Sequence, residues 1–262
     1  MKFQTIVKSV ALAGAIASVA CAGSGAAMAQ GFNWTGFYVG LNAGYAWGTA
    51  DTSSSIAAGT YFATTSVPAV NRVGSGTVDA AGFTGGAQAG YNWQSGNLVL
   101  GLETDIQSFK LGGSRSGSGV YPCCAPAVFS VNNSVDTDWL LTFRPRLGMS
   151  FGNTLLYVTG GLAVTSLHGS ATFSDNCCVG TGARGAASHT GTKTGWTVGG
   201  GAEWALNRNW TLKGEYLYVD FGSVTSGGTI AFLAAPATNS APLSNSTDLT
   251  AHIGRVGVNY KF

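Results

Sequence analysis

The sequence predicts an all-β chain, an eight-stranded antiparallel up-and-down transmembrane β-barrel preceded by an export signal. Three observations carry this. Only 9% of the 262 residues are charged while 45% are apolar, whereas a soluble domain carries about 25% charged residues. No window supplies the roughly 20 consecutive apolar residues of a membrane-spanning helix. Eight segments instead alternate apolar and polar residues with a period of two, joined by links that are short and long in strict turn.

The N-terminus comes first. Lys2 and Lys8 form a basic region, Val10 to Ala20 an apolar one, and Ala27-Met28-Ala29 a small-x-small cleavage site before Gln30. Residues 1–29 are read as a signal peptide and 30–262 as one barrel domain. A lipid anchor on Cys21 is disfavoured, because Ser18 stands where a branched apolar residue is wanted. Removing Lys2 and Lys8 leaves eleven basic and eleven acidic residues. That balance excludes nucleic acid as a partner, since phosphate binding needs a basic excess.

The eight expected strands are Gly36–Trp47, Phe83–Trp93, Leu98–Phe109, Trp139–Phe151, Thr154–Ser166, Trp196–Ala205, Trp210–Phe221 and Leu249–Phe262. Most have the ~9–11 residues that a strand tilted by about 45° needs to cross a bilayer. No helix is expected after residue 30. Three links are short: Gln94-Ser95-Gly96-Asn97, Gly152-Asn153 and Leu206-Asn207-Arg208-Asn209. The other four, near 48–82, 110–138, 167–195 and 222–248, are rich in Ser, Thr, Gly, Ala and Asn and are read as loops. Short periplasmic turns opposite long extracellular loops are the pattern of an outer-membrane barrel.

The strands sort their residues by face. The fourth sets Trp139, Leu141, Phe143, Pro145, Leu147, Met149 and Phe151 against Leu140, Thr142, Arg144, Arg146, Gly148 and Ser150. The third sets Leu98, Leu100, Leu102 and Ile106 against Glu103, Asp105 and Gln107, and the seventh sets Trp210, Leu212, Tyr216 and Tyr218 against Lys213 and Glu215. Glu203 on the sixth strand and Arg255 and Lys261 on the eighth complete a set of nine polar-face charges. Unpaired, they would be ruinous in a soluble core. Inside a barrel they point into a polar lumen while the apolar face meets hydrocarbon. Aromatics near strand ends (Phe37, Tyr45, Trp47, Tyr91, Trp93, Trp196, Trp204, Phe221, Tyr260 and Phe262 among them) read as interfacial girdles.

At this point the residues resemble a known family. Asn33-Trp34-Thr35-Gly36-Phe37-Tyr38-Val39-Gly40, Gly195-Trp196-Thr197-Val198-Gly199-Gly200-Gly201-Ala202-Glu203 and Leu212-Lys213-Gly214-Glu215-Tyr216-Leu217-Tyr218-Val219-Asp220-Phe221-Gly222 resemble strands of the small alphaproteobacterial outer-membrane β-barrels, the opacity and porin-like family with its surface antigens. The ending Gly254-Arg255-Val256-Gly257-Val258-Asn259-Tyr260-Lys261-Phe262 looks like that family's terminal strand. The resemblance implies an OmpA-like barrel in the cell outer membrane, monomeric and surrounded by its lipids. It also implies that Tyr260 and Phe262 belong to the signal read by the barrel-assembly machinery. A role in envelope integrity and surface interaction is implied. A narrow porin for small polar solutes, and capture of a haem-type ligand or a host factor by the loops, stand as alternatives.

Chemistry-bearing motifs are few. His168, His189 and His252 have no Ser or Asp partners at a catalytic spacing, and Gly199-Gly200-Gly201 does not lead into a helix as a phosphate cradle would. The chain is expected to be no enzyme and to hold no cofactor and no metal. Cys123-Cys124 and Cys177-Cys178 fall in the second and third long links, on the oxidising side. Loop-to-loop disulfides, bridges within each adjacent pair, a metal site with a histidine, and free thiols all remain open. The lumen charges have two readings as well. Glu103 and Asp105 pair with Arg144 and Arg146, and Arg255 with Glu215, closing the interior, or the same groups line a narrow solute pathway.

Overall fold

A computed structural model describes residues 32–58, 61–177, 181–235 and 239–262. The expected signal peptide, its Ala27 and Ala29 cleavage site, Cys21 and Cys178 lie outside the described residues. Among the described residues the strands are β1 (Gly36–Ile56), β2 (Gly76–Ser95), β3 (Leu98–Phe109), β4 (Gly112–Val120), β5 (Val128–Phe151), β6 (Thr154–Asp175), β7 (Ala183–Ala205), β8 (Trp210–Phe232) and β9 (Ser240–Lys261), with one helix, α1 (Val67–Gly74).

Every strand pairing is antiparallel. The sheet runs β1-β9-β8-β7-β6-β5-β3-β2, and β2 pairs back onto β1. β3 and β4 are one stave interrupted at Lys110 and Leu111, since both pair with β5. The cylinder therefore has eight staves, and closure leaves no sheet edge facing lipid, which a bilayer demands. At one end Gly96 and Gly152 sit at φ +61° and +62°, the left-handed conformation that two-residue hairpins require and glycine adopts at no steric cost.

An apolar belt wraps the outside. It runs from Phe37, Trp93, Leu98, Phe151, Trp204, Trp210 and Phe262 at the short-turn end to Trp47, Phe83, Ile106 and Trp196, all exposed. Its ten or so residues per stave match the ~25 Å height of a bilayer's apolar band. The strands, however, run to between 20 and 24 residues on seven of the eight staves. That is about twice what crossing requires.

The four long links are thus not loops. Most of 48–56, 76–82, 112–120, 128–138, 167–175, 183–195, 222–232 and 240–248 continues as paired strand, and only the tips are irregular. Water on the outer face lets Ser, Thr and Asn stand where lipid would demand Leu, and their hydroxyls bond across strands. Ser130 Oγ lies 2.9 Å from Ser174 Oγ, and Ser134 Oγ 2.8 Å from Ser170 Oγ. The helix is a second departure from expectation. Eight residues with Pro68 in the first turn, it seats Val70 and Gly74 inward against β1 and β5. It is held by Asn133 Nδ2 donating to Gly74 O at 2.8 Å and by Arg115 Nη1 donating to Val73 O at 2.9 Å.

Ladder irregularities gather at the outer edge of the belt. They occur between β3 and β4, between Thr137 and Leu140 on β5, and between Asp220 and Ser223 on β8, where Gly222 has φ +59°. The β7–β8 ladder breaks for longer, resuming only at Ala187 opposite Gly228 above and Trp196 opposite Asp220 below. Residues 188–195 remain paired with β6 on their other side. Alternate amides there lack the β8 ladder, so every second amide of 188–195 is expected to exchange with solvent deuterium far faster than those of β8 and β9. Uniform protection along β7 would contradict the break.

Candidate functional site: the filled lumen

The interior is stratified rather than uniformly polar as the alternation had suggested. At the short-turn mouth Trp34 turns inward with Val99, Leu155, Tyr157 and Ala205. Its indole Nε1 donates to Ser150 Oγ at 3.0 Å and its backbone N to Gln94 Oε1 at 2.7 Å. A charged tier lies above. Over that sits an apolar tier with Phe109, Leu140, Leu217, Phe221, Leu249 and Ile253 at its centre. A polar band with Thr52, Ser54, Asn133, Asn245 and Thr247 follows. The outer end carries an apolar cap with Phe62, Val70, Tyr121, Phe129, Phe173 and Ile230.

Period two explains how the charged tier assembles. With Phe37, Leu102, Phe143 and Leu212 turned to lipid, their neighbours Tyr38, Glu103, Arg144 and Lys213 must turn in. Arg144 Nη2 lies 2.7 Å from both Glu103 Oε1 and Asp105 Oδ2, and its Nη1 3.3 Å from Glu215. Arg255 bridges Glu215 Oε2 at 2.5 Å and Asp105 Oδ1 at 3.0 Å. Lys213 Nζ donates to the two Glu103 oxygens at 2.8 and 2.9 Å. Arg146 reaches Glu203 at 2.7 Å and Glu103 at 3.4 Å, with its guanidinium 4.2 Å from the Tyr157 ring centroid.

Four carboxylates meet four cations, all 5% exposed or less. Charge is neutralised within the tier. Eight of the nine sequence-predicted lumen charges come together here. Lys261 does not. It sits at the short-turn rim, its ammonium 5.3 Å from the Phe32 ring centroid. Parity placed it on the right face, but it lies too far along β9 to reach the others.

Several members carried no charge to announce them. Tyr38 donates to Glu103 Oε2 at 2.7 Å, and Tyr157 to Glu215 Oε1 at 2.8 Å. Glu203 accepts from Thr211 at 2.5 Å and from Asn259 at 2.7 Å, and Thr142 donates to Asp105 at 2.6 Å. Space for the rings comes from glycines on facing strands. A Cβ at Gly90 would lie 2.3 Å from the Tyr38 hydroxyl, and one at Gly201 2.8 Å from that of Tyr157. Phe221, expected in the outer girdle, is instead buried in the apolar tier, because it shares the parity of Lys213 and Glu215.

The remaining predicted residues lie elsewhere. Tyr260 stacks edge-on with Trp210 at 5.2 Å and with Phe262 at 5.1 Å, and Phe262 N donates to Phe37 O at 3.0 Å, where β9 closes on β1. Cys123, Cys124 and Cys177 meet in the cap. Beside them Asp175 accepts from Tyr61 at 2.9 Å and Tyr121 at 2.6 Å. Burial and that carboxylate push the Tyr121 phenol well above its ordinary range. His168 faces Asp138 at 3.0 Å outside the lumen.

The family model described as "Outer membrane protein beta-barrel domain" matches residues 15–262. This chain belongs to that family. Among curated proteins, the "31 kDa outer-membrane immunogenic protein" of Brucella melitensis is 37% identical over 249 residues, spanning 90% of this chain and 87% of the relative. The "25 kDa outer-membrane immunogenic protein" of Brucella abortus is 26% identical, over 90% of this chain and 82% of its own length. The "22 kDa outer membrane protein" of Rhizobium leguminosarum is 32% identical over 54% of each chain. This member of the outer-membrane barrel family resides in the cell outer membrane, its apolar belt in lipid.

Proposed function

We propose that this chain is a closed, non-catalytic, monomeric barrel that anchors a rigid surface-exposed head and so contributes to envelope integrity and surface interaction. The supporting observation is the filled interior. Between Trp34 at one mouth and α1 at the other, the apolar tier of Phe109, Leu140, Leu217, Phe221, Leu249 and Ile253 covers the charged tier. An eight-stranded barrel is just wide enough for side chains to fill. Here large ones do fill it, and a hydrated ion would have to displace both apolar packing and paired charges.

Closure of β1 on β2 and β9 supports the monomeric reading, since it leaves no strand edge for a second copy to extend. In this reading the exposed head is the part that would be immunogenic, as its Brucella relatives are named to be, and the barrel-assembly machinery engages β9 during insertion. Planar-bilayer recording of the purified chain tests it. Silent traces are expected across ±100 mV, whereas steady unitary steps would overturn the closed reading in favour of a narrow porin.

A further inference from the structure

We infer that Cys124 and Cys177 form a disulfide in the exported protein, stapling the β4–β5 tip to the end of β6 within the apolar cap. Their Sγ atoms lie 3.4 Å apart. Cys177 is buried with Tyr121, Phe129 and Phe173, and Cys124 packs against the same cluster.

Hydrogen bonds already hold the two segments together. Val128 N donates to Asn176 Oδ1 at 2.7 Å and Asn176 N to Val128 O at 3.1 Å, while Tyr121 reaches Asp175. The tip is folded tightly on itself through Tyr121 N to Ala127 O at 3.0 Å and Ala127 N to Cys124 O at 2.9 Å. Bond formation would thus fix an arrangement that hydrogen bonding sets up.

Cys123 competes for Cys124, with its Sγ 2.7 Å away. Covalent geometry decides between them. Adjacent Cα atoms are held about 3.8 Å apart by a trans peptide, shorter than the ~4.4–6.8 Å that disulfides span. The cross-strand pair carries no such restriction. Cys123 is exposed and contacts Ser66 Oγ at 3.2 Å, and its hydrogen bonds with Cys124 and Ser66 hold its thiol below the ordinary range. It is placed as a reactive neighbour rather than as the buried partner.

The chemistry balances as thiol–disulfide exchange. Two thiols lose two protons and two electrons as the Sγ–Sγ bond forms, and a disulfide of the oxidising envelope accepts them and leaves as two thiols. The inference is independent of whether the lumen conducts.

The test uses the full chain extracted from outer membranes with thiols blocked at lysis, then cleaved by trypsin and read by mass spectrometry. Peptides 116–146 and 147–184 are expected to migrate as one species without reductant and as two with it. The doubly substituted C123S/C178S chain should keep the link, and C124S should lose it. Peptides that separate without reductant would overturn the inference, as would a link that survives in C124S/C178S. Heat-dependent gel mobility of each variant reports barrel folding separately, so loss of the link is read on folded protein.

Discussion

Replacing Glu103 by Gln is expected to lower the unfolding free energy of the barrel by about 3–5 kcal/mol, the cost of breaking a buried ion pair by removing one partner. Glu103 is the hub of the charged tier, contacted by Arg144, Arg146 and Lys213 within 3.4 Å and donated to by Tyr38. Its loss leaves four cations against three carboxylates where almost no water reaches. The loss should be largely repaired by a second change, Lys213→Met, which removes the matching cation and keeps most of the volume. Urea titration in lipid vesicles, read by the mobility shift between folded and unfolded forms, measures both. A Glu103→Gln chain as stable as its parent would show that water already solvates the tier. An unrepaired double variant would show that geometry, rather than charge balance, is what Glu103 supplies.

The second large effect concerns the outside. Phe143 stands near the middle of the apolar belt, half-exposed to lipid. Phe143→Arg is expected to cost about 2–4 kcal/mol, the price of a cation at the bilayer midplane, while Phe151→Arg at the belt's edge should cost about 0–1 kcal/mol. Equilibrium folding into vesicles compares them directly. Equal costs at the two positions would mean that the belt is not where hydrocarbon lies. A larger penalty at Phe151 would instead centre the bilayer nearer the short turns, where β5 ends before Gly152.

How much of this was legible follows from what each stretch faces. Within the membrane, lipid and lumen impose opposite demands on successive residues, so Leu102-Glu103 or Phe143-Arg144 declares its register outright. Beyond the membrane both faces tolerate polar side chains, and the alternation fades to the eye. It is still present. Phe129, Val131 and Val135 point inward between outward-facing residues on β5, yet Ser, Asn and Gly around them read as loop. The helix escaped notice because eight residues with a proline in the first turn fall below any convincing period. Phe221 lies near a strand end, which suggests the girdle, whereas its parity with Glu215 puts it inside. Tyr38 and Tyr157 sat in plain alternation, but an uncharged ring gives no hint that it will bond a carboxylate. The meeting of Cys124 with Cys177 depends on strand lengths that the tips concealed.

If the staves that continue past the lipid face the cell exterior, as proposed, they would decide what an antibody can grip. On a floppy loop every side chain is offered in turn. On a stave such as 128–138, alternate side chains are turned in and only the others, spaced by the pleat, are displayed, flanked by those of β4 and β6. Recognition of the intact cell would therefore read a lattice drawn from three separate stretches of sequence, 112–120, 128–138 and 167–175. A linear peptide copied from any one of them would present that lattice poorly.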